Sequence, residues 1–244
     1  MVMKIFSIVA GLFLFIGVTS CVNDTNDDSI DTADILGAVN LYDEGVNKTD
    51  QSGMSVRTDG TIPVYTTFTN AEGKFTLTDV PFGDYTLVFE KSGFGTFKKY
   101  NVKHTNTGTV LTETPSLGQK STTQITGLTV NNSGGEIVIS ATTSPAGNAG
   151  NRRYIRFFYS KSATVSAESY TYVSQGMVSQ INPYTLTLSK STLTGMGFAS
   201  GSTVYVKVYG DSFWSNEYAV PQNEMKVFPN LNSVSANAVS FVVP

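Results

Sequence analysis

Residues able to run a reaction are few in this chain. Its 244 residues include one histidine, His104, one cysteine, Cys21, and 19 aspartates and glutamates. His104 stands in Lys103-His-Thr-Asn-Thr-Gly108, which reads as a solvated polar turn. A lone histidine assembles no Ser-His-Asp set that spacing can identify. No H-E-x-x-H, P-loop or G-x-G-x-x-G pattern occurs, and so few histidines and cysteines do not support a zinc site. Asp43 and Glu44 lie on a long polar loop, Asp43–Ser52, while Asp79 and Asp84 flank Pro81, where capping backbone N–H groups is the ordinary role. A glycosidase needs two carboxylates facing each other across a cleft, and no pair here is placed so by its spacing. The acidic run Asp24–Asp34 lacks the glycines and spacing of an EF-hand. No catalytic residue, metal or cofactor is therefore expected.

The better candidates are aromatic and point to binding. Phe213 and the only tryptophan, Trp214, fall in Gly210-Asp-Ser-Phe-Trp-Ser-Asn216, which reads as a loop tip. Flat rings beside an amide and an acid suit stacking on a sugar face or anchoring an interface. The other placement has Trp214 folded back to plug the end of its domain. Tyr205, Lys207 and Tyr209 alternate along one strand and share a face. That stripe either meets a polar ligand or packs on a neighbouring domain.

The elements that must position these residues are strands. Turn signals recur every ten or so residues, and Gly, Thr, Ser, Asn, Val and Tyr dominate, which is the all-β pattern. In Asn70–Phe89, Phe75 and Leu77 alternate with threonines, then Tyr85, Leu87 and Phe89 alternate with Thr86, Val88 and Glu90. Between them Val80-Pro-Phe-Gly83 reads as a reversal fixed by proline and glycine, joining consecutive antiparallel strands. Strands are predicted over 35–41, 55–58, 62–69, 74–78, 84–90, 95–102 and 109–113. After a polar joint, Gly118–Thr123, they are predicted over 124–130, 136–142, 153–159, 170–173, 184–189, 203–209, 217–221 and 238–243. No helix is expected. The net charge of −3 and the lack of a basic stripe speak against nucleic acid.

The start of the chain reads as a targeting segment. Lys4 supplies a positive n-region, and Ile5–Val18 is an apolar and small-residue run, too short to cross a bilayer, which takes about 20 residues. The run ends in Val18-Thr-Ser-Cys21, which resembles the bacterial lipobox. That resemblance implies cleavage before Cys21 and a lipid anchor in the outer membrane on its thiol. Residues 1–20 are then a signal peptide and 21–33 an acidic tether whose composition disfavours folding. Asp24, Asp27 and Asp28 resemble the acidic export signal of Bacteroidetes surface lipoproteins, which implies a location facing the cell exterior.

Two further resemblances concern the folded part. Thr69–Leu87, TNAEGKFTLTDVPFGDYTL, resembles the carboxypeptidase regulatory-like domain, a small transthyretin-like sandwich, with Gly37-Ala-Val39 as its opening strand and Ser92-Gly-Phe94 as its turn. It implies a sandwich over 34–118. The module also occurs at the start of TonB-dependent transporters, so the resemblance suggests such a transporter as a partner. Residues 123–244 loosely resemble a fibronectin type III domain through Tyr154–Tyr159, Gly201–Tyr209 and Phe213–Tyr218. With Val206 and Val208 inward, Val204 replaces that family's usual tyrosine. The expected whole is two tandem β-sandwiches. Three roles stay open, in this order: a non-catalytic binding module for a glycan or protein, a structural spacer or assembly subunit, and a glycan-active enzyme.

Overall fold

The computed structural model describes residues 31–105 and 107–244. The signal segment, Cys21 and the tether as far as Ile30 lie outside the described residues. The first part contains β1 (Thr32–Ala38), β2 (Asn40–Tyr42), β3 (Ser55–Thr58), β4 (Thr66–Phe68), β5 (Lys74–Pro81), β6 (Gly83–Glu90), β7 (Phe97–His104), β8 (Thr109–Val110) and β9 (Ser116–Gly118). One sheet runs β5-β1-β8, the other β4-β3-β6-β7, and β2 pairs with β9 in parallel. Ile35, Phe75 and Leu77 from the first sheet meet Val56, Leu87 and Phe89 from the second, all buried in one core. Each such side chain contributes about 1.5–3 kcal/mol by leaving water, and burial from two facing sheets makes this a sandwich.

The expected reversal at Val80–Gly83 is a crossing between sheets instead. β5 pairs with β1, whereas β6 pairs with β3 and β7. The period-two pattern fixes which side chains face inward, and it is equally satisfied by strands in opposite layers. The Tyr85 phenol closes the corner by donating to the Pro81 carbonyl at 2.6 Å. The left-handed residue there is Asp79, with φ 52°, rather than Gly83. The upstream turn is as expected: Asn70 Oδ1 accepts from the Glu72 and Lys74 amides at 3.0 Å, and Gly73 takes φ 78°. Thr32 and Ala33, expected in the tether, pair with Pro81 and Val80 in β1.

The second part contains β10 (Gln124–Ser133), β11 (Glu136–Ser144), β12 (Arg153–Ser160), β13 (Tyr172–Val173), β14 (Met177–Ser179), β15 (Tyr184–Leu188), α1 (Lys190–Gly195), β16 (Thr203–Asp211), β17 (Tyr218–Ala219), β18 (Lys226–Val227) and β19 (Val239–Val242). Sheet β10-β11-β15 faces sheet β13-β12-β16-β19, with β14 also on β12. Ile137 and Ile139 of the one meet Ile155, Phe157, Val204, Val206 and Val208 of the other. The molecule is thus all-β, two sandwiches in tandem. The short helix α1 was not expected, because six residues show no readable periodicity. Ser189 caps it, its Oγ accepting from the Thr192 amide at 3.2 Å, and Leu193 buries beneath it.

Candidate functional site

The two sandwiches meet along a seam that the polar joint crosses. Two buried asparagines clasp it. Asn230 donates through Nδ2 to the carbonyls of Gly118 (3.0 Å) and Trp214 (2.7 Å), and its Oδ1 accepts from the Gly95 amide at 2.9 Å. Asn216 accepts at Oδ1 from the Gly118 amide at 2.7 Å and shares its Nδ2 hydrogens among Gly95 O, Gly118 O and Asn230 Oδ1. Asn216 has φ 53°, a conformation that asparagine tolerates better than most residues. The backbones approach so closely that a Cβ on Gly118 would overlap the Trp214 carbonyl, and one on Gly95 would overlap Pro229 and Asn230.

The Asp43–Ser52 loop is part of this seam. The Glu44 carboxylate accepts from the Thr122 amide at 2.8 Å and from the Thr122 hydroxyl, and its carbonyl accepts from the Phe213 amide at 2.8 Å. Ser212 Oγ donates to the Gln119 carbonyl. A backbone held at both ends of residues 118–123 leaves the joint little freedom.

Trp214 is therefore not a free platform. It is half-buried, packed at a tilt against Tyr42 of the first sandwich at 5.2 Å and 34°, and its indole N–H has no partner among the described residues. Phe213 beside it is 46% exposed. It meets Trp214 edge-on at 5.0 Å and Tyr154 edge-on at 5.7 Å. The four rings Tyr42, Trp214, Phe213 and Tyr154 thus form a continuous run along the seam, and three depressions border it. One of about 440 Å³ lies between Asp43–Asn47 and Ala149–Tyr154 and is also lined by Gln119. A second, of about 410 Å³, includes Arg156, Gln175, Phe213, Glu217 and Lys226. A smaller one of about 190 Å³ touches Phe97, Leu117, Phe213 and Trp214.

The Tyr205-Lys207-Tyr209 stripe has a third fate that neither expected placement covers. It faces away from the main core, and Tyr209 is buried under the chain's own Phe228, within a small second core that includes Phe158 and Val165. The ring of Phe158 meets those of Tyr209, Phe228 and Tyr170 edge-on at 5.4–5.5 Å. Lys207 Nζ lies 5.3 Å from the Tyr209 ring centroid. The stripe therefore serves packing, because the crossing segment after β18 returns over the sheet.

The second depression is lined in part by an ion network, buried at Arg156 and Asp211. Arg156 Nε donates to Asp211 Oδ2 at 2.6 Å, its Nη1 lies 3.1 Å from Glu217 Oε2, and its guanidinium sits 4.5 Å over the Phe228 ring. Full burial pushes the Asp211 carboxyl up, against the pull of the Arg156 guanidinium. Burial also pushes Glu217 up, but the Lys226 ammonium, Arg156 and the Ser215 hydroxyl together outweigh it and leave that carboxyl below its ordinary value. Every charge here has a partner, so the network braces β12, β16 and β17 rather than offering a reactive group.

His104 is also a correction. It is buried, with Nδ1 2.9 Å from Thr109 Oγ1 and Nε2 3.0 Å from the Val80 carbonyl and 3.2 Å from that of Ala33. It ties β1, β5 and the start of β8 together, because it ends strand β7 and points back between the sheets. No group of three or more histidines, cysteines or carboxylates is placed to hold a metal among the described residues.

No protein-family model and no curated protein matches the chain. Solved structures do. A protein from Bacteroides uniformis named as a candidate carbohydrate binder is 14% identical, with a TM-score of 0.33 over 86% of this chain and 99% of its own. A DUF3823 family protein from Parabacteroides merdae is 12% identical, with a TM-score of 0.30 over 86% of this chain and 100% of its own. The major pilin SpaD of Corynebacterium diphtheriae is 12% identical, with a TM-score of 0.27 over 87% of this chain and 66% of its own. Sequence reasoning had singled out Phe213, but it missed Tyr154 and Glu44 as its neighbours. No periodic pattern links residues brought together from two sandwiches.

Proposed function

We propose that the protein is a non-catalytic binding module of the cell envelope that captures a glycan at Phe213, the exposed ring of the Tyr42–Trp214–Phe213–Tyr154 run. The observation that carries this reading is Phe213: a large aromatic ring left exposed on a clasped seam, lining a polar depression with Arg156, Gln175 and Glu217. Sugar rings stack on such faces while hydroxyls pair with flanking polar groups, and a rigid support reduces the entropy lost on binding. Anchoring through a lipid on Cys21 and display on the cell exterior follow from the lipobox-like and acidic segments. A TonB-dependent transporter is the partner that the likeness of the first sandwich to the carboxypeptidase regulatory-like domain favours.

The test is glycan-array screening followed by calorimetry on each hit, with Phe213→Ala beside the wild type. Loss of binding by about tenfold or more, at unchanged melting temperature, is the expected result. Protease shaving of intact cells tests the location; survival of the folded region until lysis would refute display on the exterior. The asparagine clasp favours a second reading, a rigid spacer between partners. Under it no glycan binds, and an engineered flexible joint disrupts assembly while Phe213→Ala does not.

A further inference from the structure

We infer that the depression lined by Phe213 and Arg156 holds a neutral sugar unit of the captured glycan by two neighbouring hydroxyls, one accepting from Arg156 Nη2 and the next donating to Glu217. This rests on the glycan-capture reading and narrows it to a substrate class.

Arg156 is only 6% exposed, yet it lines this depression. Its Nε donates to Asp211 Oδ2 at 2.6 Å and its Nη1 to the Ser174 carbonyl at 3.2 Å. Its Nη2 makes no hydrogen bond among the described residues and is not sealed from solvent. The residue set against that nitrogen is Gly176, which lines the depression too. A Cβ there would meet Nη2 at 3.6 Å, in ordinary contact. Glycine leaves the nitrogen open where a larger residue would cover it. The guanidinium is already fixed by its other two nitrogens, so a ligand that takes Nη2 orders nothing further in this side chain.

Acceptor capacity stands beside this donor. Glu217 Oε1 accepts from Lys226 Nζ at 2.9 Å, while Oε2 accepts from Ser215 Oγ at 3.2 Å and lies 3.1 Å from Arg156 Nη1. A carboxylate offers about four lone-pair sites, so Oε1 retains room for a hydroxyl. The Gln175 side-chain amide, in the same depression, has no hydrogen bond among the described residues and can serve either way. The charges balance, because Arg156 and Lys226 each face a carboxylate, Asp211 or Glu217. An anionic sugar would therefore meet no unpaired cation among the residues lining this depression, and it would lie against Glu217. Neighbouring hydroxyls fit instead, since each both donates and accepts. Phe213, 46% exposed in the same depression, covers the apolar side of that sugar.

The experiment is calorimetry on the purified protein with neutral gluco-, manno-, xylo- and galacto-oligosaccharides and with uronic-acid oligosaccharides. At least one neutral glycan should bind, more tightly than every uronide. Among its monodeoxy analogues, two that lack neighbouring hydroxyls should each lose about tenfold or more, the range of a hydrogen bond to a charged group. Gly176→Val adds methyls at Nη2 and leaves the Arg156 ion pairs in place. It should weaken the parent glycan about tenfold at unchanged melting temperature, and one of the two analogues should then lose nothing further. Glu217→Gln should shrink the loss of the other. Affinity of Gly176→Val within about twofold of wild type, losses that simply add in both pairs, no neighbouring hydroxyl pair, or a uronide that binds as tightly as the best neutral glycan overturns the inference. If glycans then still bind in a Phe213-dependent way, glycan capture stands and only this assignment falls. If no glycan on the array or in the panel binds, both fall.

Discussion

Replacing Asn230 with alanine should unlock the seam. Asn230 is fully buried, and its side chain makes four of the hydrogen bonds that join residues 95, 118, 214 and 216. After truncation Gly118 O keeps Asn216 Nδ2 at 3.1 Å, but the Gly95 amide and the Trp214 carbonyl lose the partners described above. A stranded buried polar group costs about 1–3 kcal/mol, so two cost roughly 3 kcal/mol when water reaches them in part. A folded unit of this size loses about 2–4 °C of melting temperature per kcal/mol, which gives a drop of about 6–12 °C. Calorimetry has a second readout: a single transition in the wild type should split in the variant, as the sandwiches cease to unfold together. Asn230→Asp separates hydrogen bonding from packing, because it preserves shape but sets an oxygen against the Gly118 and Trp214 carbonyls. It should lose at least as much as the alanine variant. A melting temperature within 2 °C of wild type for Asn230→Asp, roughly the shift expected from less than 1 kcal/mol, would refute the clasp.

Three other outcomes follow from particular side chains. Tyr159 is fully buried in the second core with an unpartnered hydroxyl, and burial pushes its phenol up. Tyr159→Phe should therefore leave thermal stability unchanged or raise it by a few degrees, at about 1 kcal/mol, as a melting curve would record; a clear loss would reveal a hidden partner. Glu217 has a folded-state carboxyl below its ordinary value of 4.5, so the stability it contributes is complete above that pH and is lost as pH falls through the lowered value. Glu217→Gln should flatten that acid limb in melting temperature measured against pH. Gly210→Ala would drive a Cβ into the Thr123 carbonyl, in backbone with little room to shift, and should lower the melting temperature by several degrees or abolish soluble expression.

Much of the fold was legible because period-two alternation states which side chains face inward. Phe75, Leu77, Leu87 and Phe89 were placed in the core by that rule, and so were Val204, Val206 and Val208. The rule is silent about layers, which is why β5 and β6 read as neighbours and turned out to belong to opposite sheets. It is silent about what covers the other face, so the Tyr205-Lys207-Tyr209 stripe looked available until Phe228 closed over it. His104 looked solvated because its flanking residues are polar, and local composition does not reveal that a strand end turns inward. Phe213 was visible as an aromatic in a polar loop; its neighbours were not, because Tyr154 lies 59 positions upstream and Glu44 in the other sandwich.

The sequence by itself determined the all-β class, the alternation that builds both cores, the turn at Asn70–Gly73 and the scarcity of groups able to catalyse. Those properties follow from near neighbours along the chain, where backbone geometry and side-chain type act directly. Only the tertiary structure decided that Trp214 would pack on Tyr42 while Phe213 stays exposed, that Asn216 and Asn230 would lock two sandwiches, and that Arg156 would be buried with its Nη2 open beside Gly176. Each of these depends on which distant backbone fills the space around a side chain. Hydrogen bonds and ring contacts act over a few ångströms, and the chain brings those partners within reach only once both sandwiches have formed.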